Sequence, residues 1–113
     1  MITYREITTD NDWLQALEAS SNKPMLILKH STRCSVSSAA LEEYESYLAD
    51  RPREDIDYVL VKVIESRPIS NRIATELEVK HESPQMILVK QKAKYWVASH
   101  WSITKKHMQA VLD

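Results

Sequence analysis

The chain has 113 residues and a formal net charge of −1, with one cysteine and no glycine. This length predicts a single domain over residues 1–113. The near-zero net charge excludes binding to nucleic acid or to an anionic membrane through a bulk electrostatic field. A chain without glycine has no glycine loop to cradle phosphates, which excludes the P-loop and Rossmann classes of nucleotide-binding protein.

The first residues contain no apolar segment of the signal-peptide type. No apolar run elsewhere approaches the length of a membrane span. One cysteine cannot form an internal disulfide, as is usual for proteins of a reducing compartment. We therefore expect a cytoplasmic location and no partner of the membrane or nucleic-acid classes.

Strand and helix patterns alternate along the chain. Continuous apolar runs indicate strands buried on both faces, and Pro68 marks the first turn of a helix. In the first helix, Trp13, Leu14 and Leu17 are expected to face inward. In chain order we predict a strand over 4–7, a helix over 10–19, a strand over 25–28, a helix over 35–49, a strand over 58–64, a helix over 68–77, strands over 84–89 and 94–99, and a helix ending at residue 112.

The single cysteine lies in a polar turn between a predicted buried strand and a predicted helix. A helix N-terminus has unpaired N–H groups and a positive dipole end, both of which favour a thiolate. The N–H groups of Val36 and Ser37, the Ser37 hydroxyl and the Arg33 charge are therefore expected to lower the pKa of Cys34. A buried cysteine that acts only as a small hydrophobic residue is the alternative.

Ser83-Pro84 opens a later strand and is predicted to be a cis peptide bond that lies against Cys34. In that geometry the backbone of Ser83 forms an edge able to pair with a substrate peptide or a thiol. Ser37 occupies the second position of a Cys-x-x-Cys pair, so the chain has a nucleophile without a resolving cysteine. Ser37 could equally serve as a first-turn helix residue, and Pro84 could simply begin a strand.

The order β-α-β-α-β-α-β-β-α predicts the α/β class, with a thioredoxin-like fold in which helices flank a central mixed sheet. The histidines do not indicate a metal site, and the tryptophans do not indicate an aromatic cage for a ligand. The histidines have no metal-ligand spacing, so no metal site is predicted. The tryptophans are expected in the core or at an interface. These residues are His30, His81, His100 and His107, and Trp13, Trp96 and Trp101.

Four segments, taken together, resemble the bacillithiol-system YtxJ family of monothiol bacilliredoxins. They are Thr-Arg-Cys-Ser-Val-Ser at 32–37, Arg-Pro-Ile-Ser-Asn at 67–71, His-Glu-Ser-Pro-Gln at 81–85 and Ala-Ser-His-Trp-Ser-Ile-Thr at 98–104. The family has proline where this chain has Ser35. The resemblance implies that Cys34 is the nucleophile, that Ser37 occupies the resolving position and that Pro84 is the cis-proline.

The resemblance also implies removal of bacillithiol from S-thiolated cytoplasmic proteins. Bacillithiol would be a co-substrate, no cofactor would be bound, and a partner reductase could complete the cycle. Arg33 would offer positive charge to the carboxylates of a small anionic thiol. Two other classes stay open: an iron–sulfur carrier related to monothiol glutaredoxins, although their glycine cradle is missing here, and a redox-inert binding module with the thioredoxin fold.

Overall fold

The computed structural model describes residues 2–112, and the elements follow the predicted order. A short 3₁₀ turn at His100–Ser102 precedes the last helix. The elements are β1 (Arg5–Glu6), α1 (Asp10–Ala19), β2 (Met25–His30), α2 (Ser35–Leu48), β3 (Asp57–Lys62), α3 (Arg67–Glu76), β4 (Gln85–Lys90), β5 (Ala93–Ser99) and α4 (Lys105–Leu112).

The five strands form one mixed sheet with the order β1-β3-β2-β4-β5. Strand β3 is parallel to β1 and β2, whereas β4 is antiparallel to β2 and β5. Strands β2 and β3 are therefore parallel neighbours within a mixed sheet, as the predicted thioredoxin-like fold requires. Lys29 near the end of β2 lies opposite Gln85 at the start of β4, so the segments that follow β2 and precede β4 share one end of the sheet.

Helices cover both faces of the sheet and create two apolar clusters. Leu26 and Leu28 belong to the cluster beneath α2 and α4. Met25 and Ile27 belong to the cluster beneath α1 and α3. Alternate residues of β2 thus face opposite layers, which explains why its sequence is a continuous apolar run rather than an alternating one.

Two assignments from the sequence were wrong, one inward-facing residue and one strand boundary. Leu14 is 44% exposed, because Trp13 and Ala16, three residues apart on α1, fill the inward face. Strand β3 ends at Lys62 rather than at residue 64, and Ile64 is 37% exposed. Residues 63–66 form the turn that leads to α3, so the chain leaves the sheet after Lys62.

The β4–β5 hairpin makes its two-residue turn without glycine. Gln91 and Lys92 both have positive φ, 51° and 63°, as a type I′ turn requires. Their N–H groups donate to the carbonyl and hydroxyl oxygens of Ser20, at 2.9 and 3.0 Å. These two hydrogen bonds offset the unfavourable backbone conformation of two residues that carry a Cβ.

Candidate redox site

The thiol turn, residues 31–37, connects β2 to α2 and places the cysteine at the start of the helix. Cys34 is the N-cap residue of α2, with extended backbone angles, and is partly exposed. Its carbonyl accepts the first helical hydrogen bond, from the N–H of Ser38 at 3.1 Å. Ser37 is fully buried, and its Oγ accepts a hydrogen bond from the N–H of Ser31 at 3.2 Å. The serine therefore closes the turn on which the thiol lies.

The first turn of α2 stabilises the thiolate. The backbone N–H groups of Ser37 and Val36 lower the pKa of Cys34 below its ordinary value, and the Ser37 hydroxyl adds a smaller contribution. Partial desolvation of the sulfur acts in the opposite direction. The direction agrees with the expectation for a helix N-terminus. Arg33 is exposed and is not among the groups that produce this shift, so its role toward an anionic thiol stays a prediction.

The proline loop, residues 80–84, precedes β4 at the same end of the sheet. The Ser83–Pro84 peptide bond is cis, as predicted. The loop is held at both ends: the Pro84 carbonyl accepts from the N–H of His100 at 3.0 Å, and the Lys80 carbonyl accepts from Nε2 of Gln85 at 3.0 Å. Direct contact between Pro84 and Cys34 stays a prediction, but the topology brings their segments together.

A fully buried lysine of β2 supports the proline loop from the interior of the protein. Nζ of Lys29 donates to the Ser70 carbonyl at 2.9 Å and lies 3.2 Å from Nδ1 of His81. Burial lowers the pKa of Lys29 to about 8, so the ammonium form still dominates at neutral pH. Because an ammonium only donates, His81 must accept with Nδ1 and carry its proton on Nε2. Burial, with the charges of Lys29 and Arg67, also lowers the pKa of His81.

Sequence reasoning missed Lys29 and the part played by His81. Strand β2 was predicted to end at Leu28, because the continuous apolar run ends there. The available signal was the position of Lys29, one residue beyond a continuous apolar run in a strand covered on both faces. Only the packing of α3 and the proline loop shows that the ammonium stays inside.

Unpartnered buried polar atoms also gather at this end of the sheet. Within the described part of the chain, three buried side-chain atoms have no hydrogen-bond partner: Nδ1 of His30, Oγ of Ser83 and Oε1 of Gln85. Buried polar groups without partners are rare and often mark functional sites. Burial lowers the pKa of His30, which favours its neutral imidazole.

Residues 2–112 contain no group of three or more histidine, cysteine, aspartate or glutamate side chains that could hold a metal ion. Within the same residues, no helix has both the length and the apolar character needed to cross a membrane.

Comparisons with solved structures agree with the fold. The chain is similar to a protein assigned as an oxidoreductase with a thioredoxin fold, with a TM-score of 0.84, 27% identity, and coverage of 97% of this chain and 94% of the other. It is also similar to a thioredoxin of Malassezia sympodialis, at TM-score 0.78 and 14% identity, covering 97% and 88%. A Schistosoma mansoni thioredoxin matches at TM-score 0.75 and 16% identity, covering 98% and 96%. The fold is therefore thioredoxin-like.

The comparison with protein families is more specific than the comparison of folds. The family model for monothiol bacilliredoxin BrxC matches residues 5–108, which include the thiol turn, Lys29 and the proline loop. Together with the fold, this match supports a role in thiol redox chemistry. The chain belongs to the monothiol bacilliredoxin BrxC family.

Proposed function

We propose that this protein is a thiol-disulfide oxidoreductase that removes bacillithiol from S-thiolated proteins in the cytoplasm. One observation carries the proposal: the only cysteine of the chain is partly exposed at the N-terminus of α2, where backbone N–H groups lower its pKa. A cysteine kept only as a hydrophobic residue would be buried among apolar side chains and would be inert.

The first step is an exchange of one disulfide for another. The Cys34 thiolate attacks the bacillithiol sulfur of the client's mixed disulfide, and an S–S bond forms between Cys34 and bacillithiol as the client's S–S bond breaks. The client leaves as a thiolate and takes a proton from solvent. The N–H groups of Val36 and Ser37 hold the attacking thiolate in place, and they lose this role as its charge moves to the client sulfur.

The second step needs a thiol from outside the chain. Ser37 stands where a resolving cysteine would be, and its hydroxyl cannot form a disulfide. A second bacillithiol thiolate therefore attacks the adduct, which releases Cys34 as a thiolate and forms bacillithiol disulfide. That disulfide must then be reduced by a partner reductase.

The guanidinium of Arg33, on the thiol turn, supports an anionic small thiol as the co-substrate. Arg33 is exposed, and its guanidinium has no carboxylate partner within residues 2–112. A guanidinium binds carboxylates through paired hydrogen bonds, so Arg33 suits the acidic part of a small thiol. The chain has no glycine, so the glycine pair with which glutaredoxins cradle glutathione has no counterpart here.

The test is to incubate the reduced protein with a peptide that carries bacillithiol on its single cysteine. Intact mass spectrometry should show one bacillithiol on Cys34 as the peptide thiol is released. A glutathionylated copy of the peptide should react more slowly, and Arg33→Gln should reduce the difference between the two. Equal or faster reaction with the glutathione adduct would contradict bacillithiol selectivity, and no transfer from either peptide would contradict the proposed activity.

A further inference from the structure

The 3₁₀ turn after β5 holds an exposed tryptophan beside the proline loop. Trp101 is 70% exposed, although its neighbours are firmly anchored. On one side, the N–H of His100 donates to the Pro84 carbonyl, and on the other side Ile103 is buried. His100 has a positive φ of 53°, which turns the chain sharply at the end of β5. The indole is therefore held outward on a fixed support rather than at the tip of a loose loop.

A groove of about 210 Å³ lies between this turn and α2, and two glutamates lie on its α2 side. Trp101, Glu42 and Glu43 line it. The backbone N–H of Lys105 donates to Glu43 Oε1 at 2.9 Å, whereas the Lys105 ammonium pairs with Asp50. Within residues 2–112, neither glutamate has a lysine or arginine ion-pair partner. The groove thus combines an aromatic face with negative charge that has no lysine or arginine counter-ion among residues 2–112.

Tyr95 shows how the same molecule treats another exposed ring. Tyr95 is 66% exposed on β5, but the Lys90 ammonium lies over its ring, 4.0 Å from the centroid. A cation over an aromatic face is a favourable contact that the chain provides for itself at this position. No cation of the described residues occupies the equivalent position over Trp101. The indole is left available to a cation from a partner.

We propose that the groove formed by Trp101, Glu42 and Glu43 binds a lysine or arginine side chain of the client protein, next to the client's thiolated cysteine. This inference rests on the proposed function and specifies the class of client. The aliphatic part of the basic side chain lies against the indole, and its charge faces the two carboxylates. The positive charge of Arg33 binds the small thiol, which forms the other half of the same mixed disulfide.

The chemistry of protein thiolation leads to the same class of client. A protein cysteine becomes reactive when a neighbouring lysine or arginine lowers its pKa, so cysteines that acquire a small thiol tend to have basic neighbours. A groove that selects basic side chains next to the disulfide would therefore direct the protein to those sites.

Binding can be measured without the exchange reaction. Cys34→Ser protein is titrated with peptides in which one arginine is moved through the positions flanking a central serine, and with matching glutamate peptides. The Trp101 indole N–H signal in NMR, assigned with Trp101→Phe, should shift with at least one arginine peptide and with none of the glutamate peptides. An unchanged signal in every titration would overturn the inference, whether or not the exchange reaction occurs.

Kinetics give the second measurement, with bacillithiolated peptides of the same two series. Trp101→Ala should raise the KM for the best arginine peptide about five-fold, with little change in kcat. Glu42→Lys should reverse the preference toward the glutamate peptide. Tyr95→Ala is the matched control and should leave both peptides unaffected. Equal KM values for arginine and glutamate peptides, or an equal effect of Tyr95→Ala, would overturn the inference and leave the exchange activity itself established.

Discussion

The thiol turn and the proline loop share one end of the sheet but are held in place by different means. The thiol turn is closed by neutral groups close in sequence, such as the Ser31 N–H and the Ser37 hydroxyl at 3.2 Å. The proline loop is held by distant groups, including the buried Lys29 ammonium, 3.2 Å from His81 and 52 residues away. Local neutral hydrogen bonds cost little to bury, whereas a buried charge without a carboxylate is expensive.

We therefore expect substitutions in the thiol turn to change the rate of exchange. Substitutions of Lys29, which supports the proline loop, should change both the stability of the protein and the geometry of that loop. Cys34→Ser should have the largest effect on activity, reducing transfer of bacillithiol from a thiolated peptide to the uncatalysed rate. The fold should be at least as stable, because Cys34 makes no side-chain cap to α2 and serine is a preferred N-cap residue. Intact mass and urea unfolding measure the two effects. Residual transfer would exclude Cys34 as the nucleophile.

Two substitutions of Lys29 separate the charge of the ammonium from the volume of the side chain. Lys29→Met keeps the buried stem and removes the charge, so its free energy of unfolding should stay within about 1 kcal/mol of the parent. Lys29→Ala also leaves a cavity and should be less stable than Lys29→Met by about 2–3 kcal/mol. Urea unfolding of the two variants measures this difference.

Both Lys29 variants should slow exchange to the same extent, by about ten-fold, because each removes the donor that orients His81. If Lys29→Met were fully active and only the less stable Lys29→Ala were slow, the role of Lys29 would be to fill space, and its charge would not be needed. The comparison thus tests whether the proline loop depends on the charge beneath it or only on packing.

These two regions also show how far the sequence could be interpreted. The order of elements, the position of Cys34 and the cis bond at Pro84 were predictable, because each depends on local patterns or on the resemblance of short segments. Lys29 was not, because a terminal strand lysine usually extends into water and its partners here come from α3 and the loop before β4. The exposure of Trp101 depends on the sharp turn at His100, which no residue type in the segment indicates.

The buried ammonium should also leave a signature in the pH dependence of stability. The pKa of Lys29 is about 8 in the folded chain and 10.5 in its ordinary state, so between these values the unfolded chain binds more protons. Stability should therefore rise with pH in this range, whereas below about pH 8 both states are protonated and the full penalty of burial remains. Burial raises the pKa of Tyr44 and Tyr58, so their titration opposes this trend above about pH 10.

The measurement is urea unfolding between about pH 8 and 9.5 in Cys34→Ser protein, which removes the titration of the thiol. We expect a rise of up to about 2 kcal/mol that is lost when Lys29→Met is added. Equal pH dependence with and without Lys29 would show that its pKa is not lowered by burial.

The smallest predicted effect returns to the thiol turn. Ser37→Ala removes the acceptor for the Ser31 N–H and should lower the free energy of unfolding by about 1 kcal/mol. The pKa of Cys34 should rise only slightly, since the N–H groups of Ser37 and Val36 persist and contribute more than the hydroxyl. Exchange at pH 7 should accordingly slow by less than about ten-fold.

Alkylation of Cys34 as a function of pH measures this shift, and Ser38→Ala is the matched control. The Ser38 hydroxyl lies on the same helical turn but donates to the Cys34 carbonyl at 3.4 Å, and the groups that set the thiol pKa do not include it. Its removal should therefore leave the alkylation profile unchanged. If Ser37→Ala stopped exchange as completely as Cys34→Ser while the fold stayed intact, the hydroxyl would have to act on the reacting sulfurs themselves, and backbone N–H groups alone would not account for the reactivity of the thiol turn.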